Sequence, residues 1–314
     1  MVIFSKLNRK EIVDILSNYK IGRYKSHSYM KGVYDNHMYI LNTSTGKYII
    51  KINKKINKNS YLNQLEYIDF LYSKKIPVAK NIKNKKGNEL IPYRKKYYII
   101  QRYIEGKSAQ DMGIPLSIEM GKQIGKLHST LVKSKYSKGN KSHSYKKRSF
   151  KSIKDGEKIQ GIYNELLKNL NGLNFSKLRS SYIHSDLSEG NMLVKNKKLI
   201  SIIDFDDSDY DYIAYDTAIF IAHFYLSRKR IQRMKAKIFL KEYSKYFALN
   251  NEERKAIYYL AKYRLFGILS WYIEHLKSHP KETPSMKKGI KRNSEVVMRL
   301  DKFTLEDFMK FIPK

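Results

Sequence analysis

His184, Asp186 and Asn191 stand in a His-x-Asp-x-x-x-x-Asn spacing, and thirteen residues beyond Asn191 the run Ile202-Ile-Asp-Phe205 places a fourth polar group, Asp204. Residues of these types at these intervals suit phosphoryl transfer from ATP. That reaction asks for positioning more than covalent work, so one carboxylate orients the acceptor hydroxyl while others hold magnesium on the phosphates. Asp186 fits the first role and Asp204 the second. Asn191 offers a neutral oxygen that would share the Mg2+, a hard cation that prefers oxygen ligands and keeps some of its water. The competing reading makes Asp186 and Asn191 ordinary loop residues and Asp204 a strand-end aspartate.

The flanking runs predict the elements that position these groups. Met192-Leu-Val194 and Leu199 to Ile203 read as short buried strands joined by the lysine-rich turn Lys195 to Lys198. The resulting hairpin carries Asn191 at one end and Asp204 at the other. With these residues in view, the centre resembles the aminoglycoside-phosphotransferase and choline-kinase branch of the protein-kinase fold. There the catalytic loop is similar to His-Gly-Asp-x-x-x-x-Asn and the metal aspartate sits in Ile-Asp-Phe/Trp. Phe205 is followed by Asp206 rather than glycine, which argues against a eukaryotic-type protein kinase. The resemblance implies an α+β fold of two lobes. Residues 1–104 would form a small antiparallel-sheet nucleotide lobe ending in a hinge, and residues 105–314 a larger, mainly helical lobe with the catalytic loop and acceptor pocket.

Along the chain, Ile12, Ile15 and Leu16 recur at helical spacing until Gly22 breaks the pattern. Tyr29 to Leu41, the turn around Asn42 to Gly46, and Lys47 to Ile52 read as strand, turn, strand. Gly32 would lie near a turn above the nucleotide, where backbone amides can approach phosphate, or would serve an ordinary turn. Lys51 closes an apolar strand and is the candidate cation on the ATP phosphates. Its expected brace is Glu66, since only Glu66 and Asp69 are acidic between Lys51 and Asn88. Tyr97 to Gly106 reads as a strand entering the hinge, whose main-chain groups at Gln101, Arg102 and Tyr103 would hydrogen-bond the adenine. Met120, Ile124, Leu127 and Leu131 form one helix face; His128, in a run similar to the family's Gly-x-x-Leu-Ala-x-Leu-His helix, reads as a packing residue.

Composition narrows the class. Cysteine is absent, which removes disulfides, thiolate nucleophiles and cysteine zinc sites. Met1 to Lys10 acquires charge too early for a secretory signal. The most apolar run, Ala214 to Leu226, contains Asp216 and His223 and is too short to span a bilayer. The expectation is a cytoplasmic protein without membrane insertion. Lys and Arg number 63 against 29 acids, a formal net charge of +34, enough to attract nucleic acid or another polyanion. The lysines nevertheless spread along the whole chain beside Asn, Ile and Tyr, as an A/T-biased genome would produce. No RNA-binding motif accompanies them. Lys133 to Lys151 holds eight cations and no acid and reads as a solvated loop, with anion contact as the alternative.

Against that background, Asp204, Asp206, Asp207, Asp209 and Asp211 place five acids in eight residues. The resemblance implies an acidic loop there that holds metal and substrate groups, which makes Asp206, Asp209 and Asp211 support or substrate candidates. Asp216 is either the N-cap of a helix over Thr217 to Leu226 or a brace for the catalytic loop. Ile231 to Ile312 reads as helices, which in this branch build the pocket for a small-molecule acceptor. The N-terminal third is similar to kinase-like bacterial homoserine kinases through Tyr19-Lys-Ile-Gly22, Lys31-Gly-Val-Tyr-Asp-Asn-His-Met-Tyr39, Thr45-Gly-Lys-Tyr-Ile-Ile50 and Ser73-Lys-Lys-Ile-Pro77, and similarity continues to Ala214-Tyr-Asp-Thr-Ala-Ile219. Tyr34-Asp35 departs from that family's Glu-Asn. Homoserine is therefore the first acceptor, followed by choline, an aminoglycoside or a sugar. The alternatives are a non-catalytic kinase-like scaffold of the spore-coat type and an RNA-associated protein.

Overall fold

The computed structural model describes residues 7–30, 36–53, 58–94, 96–110, 113–139, 145–278 and 283–312. Gly32, the expected phosphate turn, lies outside them. The chain forms two compact units, Met1–Gly106 with Ile200–Asp206, and Lys107–Leu199 with Asp207–Lys314. The sequence reading placed one boundary after residue 104 and left 200–206 with the second part. Tertiary pairing decides otherwise: Val78 bridges Ile202, and Lys51 pairs with Asp204 and Asp206.

In the first unit, α1 (Arg9–Ser17) opens with a reciprocal cap, the Asn8 side chain accepting from the Glu11 amide at 3.0 Å and Glu11 accepting from the Asn8 amide at 2.9 Å. A five-stranded antiparallel sheet follows. Its strands β1 (Tyr24–Tyr29), β2 (Asn36–Thr43), β3 (Gly46–Asn53), β4 (Ile91–Tyr93) and β5 (Lys96–Arg102) lie in the order β1-β2-β3-β5-β4. Ile50 and Ile52 of β3 and Ile100 of β5 point into a core with Ile12, Ile15 and Leu16 of α1. Alternation along β3 sends Lys51 to the opposite face, where its register partner is Ile99. There Tyr61 and Leu65 of α2 (Lys58–Ser73) pack on Ile99.

The second unit begins with β6 (Lys107–Ser108) and continues through α3 (Ile114–Val132), α4 (Gly156–Asn171) and β7 (Ser180–Ile183). Then come β8 (Met192–Lys195) and β9 (Lys198–Ile202), the expected hairpin, with β9 passing from the second unit into the first at Ile200; Asn196 and Lys197 at its turn have φ of 51° and 59°. Two left-handed residues suit the tight type I′ connection that matches strand twist. Strand β10 (Asp209–Tyr212) pairs antiparallel with β7, Asp209 opposite Ile183 and Asp211 opposite Ser181. The acids expected in a loop are therefore partly in a strand.

Helices α5 (Ile213–Ile221), α6 (Arg233–Ser244), α7 (Asn251–Ser278), α8 (Thr283–Asp301) and α9 (Leu305–Met309) complete the unit. Helix α5 begins four residues earlier than the sequence reading and ends in a π-helical turn, Ala222–Leu226. In residues 145–151 Lys146, Lys147, Ser149 and Lys151 are exposed, while the segment is anchored: Phe150 is buried, Lys146 N–H donates to the Tyr263 hydroxyl at 2.9 Å, and Arg148 donates to the Tyr163 hydroxyl at 3.1 Å. Among the described residues, no helix is long and apolar enough to cross a membrane.

Helices α3 and α6 approach closely because Gly121 and Gly125 present no side chain. A Cβ at position 121 would stand 2.5 Å from the Phe239 carbonyl oxygen and 3.0 Å from Glu242 Cβ. Gly121→Ala should therefore cost about 1–3 kcal/mol of stability despite improving helix propensity. Denaturant unfolding measures this, and an unchanged midpoint would contradict the packing described.

Candidate active site

In the first unit Lys51, 4% exposed, donates from Nζ to Asp204 Oδ1 and to Asp206 Oδ1, each at 2.7 Å. Asp206 also accepts from Gln64 Nε2 at 3.0 Å and Asn36 Nδ2 at 2.7 Å. A buried ammonium is tolerated when paired and hydrogen-bonded in this way. Burial opposes its charge, but the Asp206 and Asp204 carboxylates outweigh burial and hold the Lys51 pKa above the ordinary lysine value. For Asp206 burial pushes upward, yet Lys51 and the Gln64 and Asn36 amides together hold its carboxyl below the usual carboxylate range. Asp204 has φ 62°, a left-handed conformation that non-glycine residues adopt rarely, aspartate more readily than most.

These shifts fix a pH window. A depressed carboxyl contributes stability that is full above the unfolded-state value, about pH 4, and is lost as pH falls through the lower folded-state value. The raised Lys51 contributes fully below about pH 10 and fades as pH rises through its folded-state value. Asp206→Asn should consequently flatten the acid limb of melting temperature against pH. An acid limb identical to that of the unsubstituted protein would remove Asp206 from this account.

In the second unit the catalytic loop hangs on Asp216. The main-chain N–H groups of His184 and Ser185 donate to its two carboxylate oxygens at 3.0 and 2.8 Å. Ser185 has φ 64°, and these bonds hold it there. Asp216 is fully buried within the first turn of α5, whose N-cap is Tyr212, so it is not the N-cap considered from the sequence; it is the brace. His128 lies beside it as a packing residue. The Tyr243 hydroxyl accepts from Thr217 and lies 2.8 Å from His128 Nδ1, while Nε2 is 3.6 Å from Asp216.

Asp186 is held on several sides. Its N–H donates to His184 Nδ1 at 3.2 Å; its Oδ2 accepts from Asn191 Nδ2 at 2.7 Å and Ser188 Oγ at 3.4 Å. Its Oδ1 accepts from the Arg264 guanidinium, supplied by α7. Both side-chain hydrogen bonds of Asn191 use its amide nitrogen, to Asp186 Oδ2 and to the Asp186 carbonyl at 3.0 Å, so neither occupies its amide oxygen. Arg264 Nε donates to His223 Nε2 at 3.3 Å, so His223 accepts there as a neutral ring. Burial first, then Arg264 and Arg228, push its pKa down to about 3.

Other expected residues fall elsewhere. Glu66 is exposed on α2 and lines a cavity with Leu62, Asp69, Lys83 and Glu89. Two helical residues apart are about 200° apart around the axis, so with Gln64 turned toward Asp206, Glu66 turns away. The brace of Lys51 is thus the aspartate pair. Gln101 Nε2 donates to Asn81 Oδ1 at 2.9 Å, Arg102 pairs with Tyr48 across the sheet, and the Tyr103 N–H donates to the Lys47 carbonyl at 2.9 Å. The Tyr103 amide is therefore committed to the sheet. Asp209 is exposed and Asp211 is buried; each accepts the next residue's amide, at 2.8 and 2.6 Å.

Sequence reasoning missed Arg264, His223, Gln64 and Asn36. Arg264 is one of 63 cations and no local motif marks it.

A sequence model of the phosphotransferase enzyme family matches residues 29–246. The homoserine kinase of Parvibaculum lavamentivorans is 25% identical over 288 residues, covering 89% of this chain and 90% of that protein. That of Zymomonas mobilis is 24% identical over 277 residues, covering 83% and 85%. Among solved structures, amicoumacin kinase hAmiN in complex with AMP-PNP, Ca2+ and Ami is similar with a TM-score of 0.71 at 16% identity, covering 93% of this chain and 94% of that one. Choline kinase LicA from Streptococcus pneumoniae follows with a TM-score of 0.64 at 16% identity, covering 92% and 98%. The fold is the protein-kinase-like α+β fold that the family resemblance implies.

Proposed function

Because the chain belongs to the phosphotransferase enzyme family, we propose that it moves the γ-phosphate of ATP to the hydroxyl of a small amino-acid acceptor, homoserine first. It is a small-molecule kinase with an alcohol group as acceptor. The observation that carries the finer reading is the Asp186 carboxylate, aimed by Asn191, Ser188 and Arg264 and flanked by a neutral His223. A guanidinium at the proton-accepting carboxylate suits an acceptor bearing a carboxylate. A guanidinium has five N–H donors in a fixed fork, and those not used on Asp186 are available to such a carboxylate. The names of the relatives point the same way.

In this reading Asp186 orients the acceptor hydroxyl and takes its proton, while Asn191 and Arg264 keep the carboxylate in one rotamer. Lys51, held by Asp204 and Asp206, steadies the nucleotide phosphates. Ile104, the residue after the committed Tyr103 amide, is the main-chain donor proposed for adenine. The proposed metal ligands are Asn191 and Asp204. The Asn191 amide oxygen and the half-exposed Asp204 carboxylate are hard oxygen donors that fit Mg2+. Among the described residues no three His, Cys, Asp or Glu side chains form a metal cage. One or two protein oxygens plus nucleotide phosphates are the usual Mg2+ arrangement. Bound there, the metal supplies neutralisation of charge on the transferred phosphoryl group.

Comparing homoserine with 3-aminopropan-1-ol, the same acceptor without its carboxylate, tests the substrate class. kcat/KM should be higher for homoserine by roughly tenfold or more, as loss of a charge-assisted hydrogen bond implies. Equal use of both acceptors would overturn the carboxylate reading while leaving the kinase assignment standing.

A further inference from the structure

The second unit holds a cavity of about 430 Å³ lined by Gln110, Phe224, Arg228, Lys229, Arg230, Gln232 and Lys235. Four cations face it and no acid does. Of these, Arg228 is paired, with Glu189 of the catalytic loop at 2.5 Å. Lys229, Arg230 and Lys235 have no carboxylate partner among the described residues. Like charges gathered without carboxylate counter-ions repel one another, and an anion among them would relieve that repulsion.

The backbone adds to this charge. The cavity wall includes the start of α6, whose first amides have no intrahelical acceptor. Gln232, its N-cap residue, makes no side-chain cap, and the first turn contains no acid. An N-terminus normally draws a negative group; here it is met by Arg233 and Lys235. The segment is also built rather than loose. Arg299 donates to the carbonyls of Leu226, Arg228 and Lys229 at 3.1, 2.7 and 3.1 Å, and Gln232 N–H donates to the Tyr225 carbonyl at 3.0 Å. Unpaired cations, an uncapped helix start and a concave volume thus coincide on a backbone fixed from behind.

We propose that this cavity binds a small oxyanion of the phosphate class, free phosphate or a phosphate monoester, between Arg228, Arg230, Lys235 and the α6 N-terminus. Guanidinium and ammonium groups with backbone amides are the donors such an anion takes. Arg228 serves both the cavity and Glu189, which lies between Asp186 and Asn191. An anion here competes with Glu189 for Arg228, and occupancy is therefore felt by the catalytic loop. By reciprocity, weakening the Arg228–Glu189 pair strengthens anion binding.

Calorimetric titration of the full chain with inorganic phosphate and, separately, O-phosphoserine as a monoester probe tests this, each with and without saturating ADP. Binding of at least one probe should persist with ADP and weaken roughly tenfold or more in Arg230→Ala/Lys235→Ala, as loss of charge-assisted bonds implies. The Lys237→Ala/Lys241→Ala protein, altered on exposed α6 positions outside the cavity, should bind as before. Glu189→Gln should bind more tightly. The tighter probe identifies the source of the anion. No binding of either probe, complete displacement by ADP, or equal loss in the control pair would overturn the site; unchanged affinity in Glu189→Gln would overturn its link to the catalytic loop.

Discussion

Asp186→Asn should lower kcat by about a thousandfold while nucleotide affinity stays unchanged, since general-base assistance is typically worth 10²–10⁴. The substitution keeps the shape of the side chain and removes its basicity. Asn191 and Ser188 retain an oxygen to bond, and the loop remains suspended from Asp216 through the His184 and Ser185 amides. The expected result is thus a folded protein that binds ATP and does not turn it over. Steady-state rates with a parallel nucleotide titration measure both halves. Retained turnover would refute the role of Asp186. Lost nucleotide binding would show that Asp186 acts on the phosphates rather than on the acceptor.

Lys51→Met should be costly in a second way. It leaves Asp206, whose side chain is 15% exposed, as a buried carboxylate without its cation, while the half-exposed Asp204 can turn to water. Breaking a buried pair typically costs 3–5 kcal/mol; with one partner screened, about 3 kcal/mol is expected, together with loss of turnover. The double variant Lys51→Met/Asp206→Asn should recover part of the stability, because the uncompensated charge is gone, and none of the activity. Unfolding of the two proteins decides it. A double variant as unstable as the single one would mean that Lys51 stabilises by packing and not by neutralising Asp206.

The chemistry-bearing spacing, the β8–β9 hairpin and the α3 face were legible because they are local: periodicity, turn residues and a fixed interval between Asp186 and Asn191. What escaped was pairing between distant positions. Lys51 and Asp206 are separated by 155 residues, and Arg264 and Asp186 by 78. Glu66 is the scarce acid near Lys51 in sequence, whereas the acids that hold Lys51 lie 153 and 155 residues further along the chain. Asp216 shows the same limit. Local rules suggest a helix cap, whereas the fold inserts it between α5 and the amides of His184 and Ser185. In the basic stretch the lysines at 146, 147 and 151 are exposed, as its composition implies; what composition does not show is that Phe150 and Arg148 anchor it on aromatic side chains of α4 and α7.

The net charge of +34 also divides differently once side chains are placed. Arg264, Arg228 and Arg299 are spent on Asp186, Glu189 and main-chain carbonyls. Each of those cations does a local task, and diffuse affinity for a polyanion does not require them. A non-catalytic scaffold would likewise have no use for a carboxylate aimed by Asn191, Ser188 and Arg264.

The central claim is transfer from ATP to the hydroxyl of an amino-acid acceptor. Phosphorus NMR of the protein with ATP, Mg2+ and homoserine tests it most directly. A phosphomonoester resonance should grow as the γ-phosphate signal of ATP declines, with neither change in the Asp186→Asn protein. Conversion of ATP to ADP with inorganic phosphate as the sole new phosphorus species, or no change in ATP in the presence of homoserine, would contradict it.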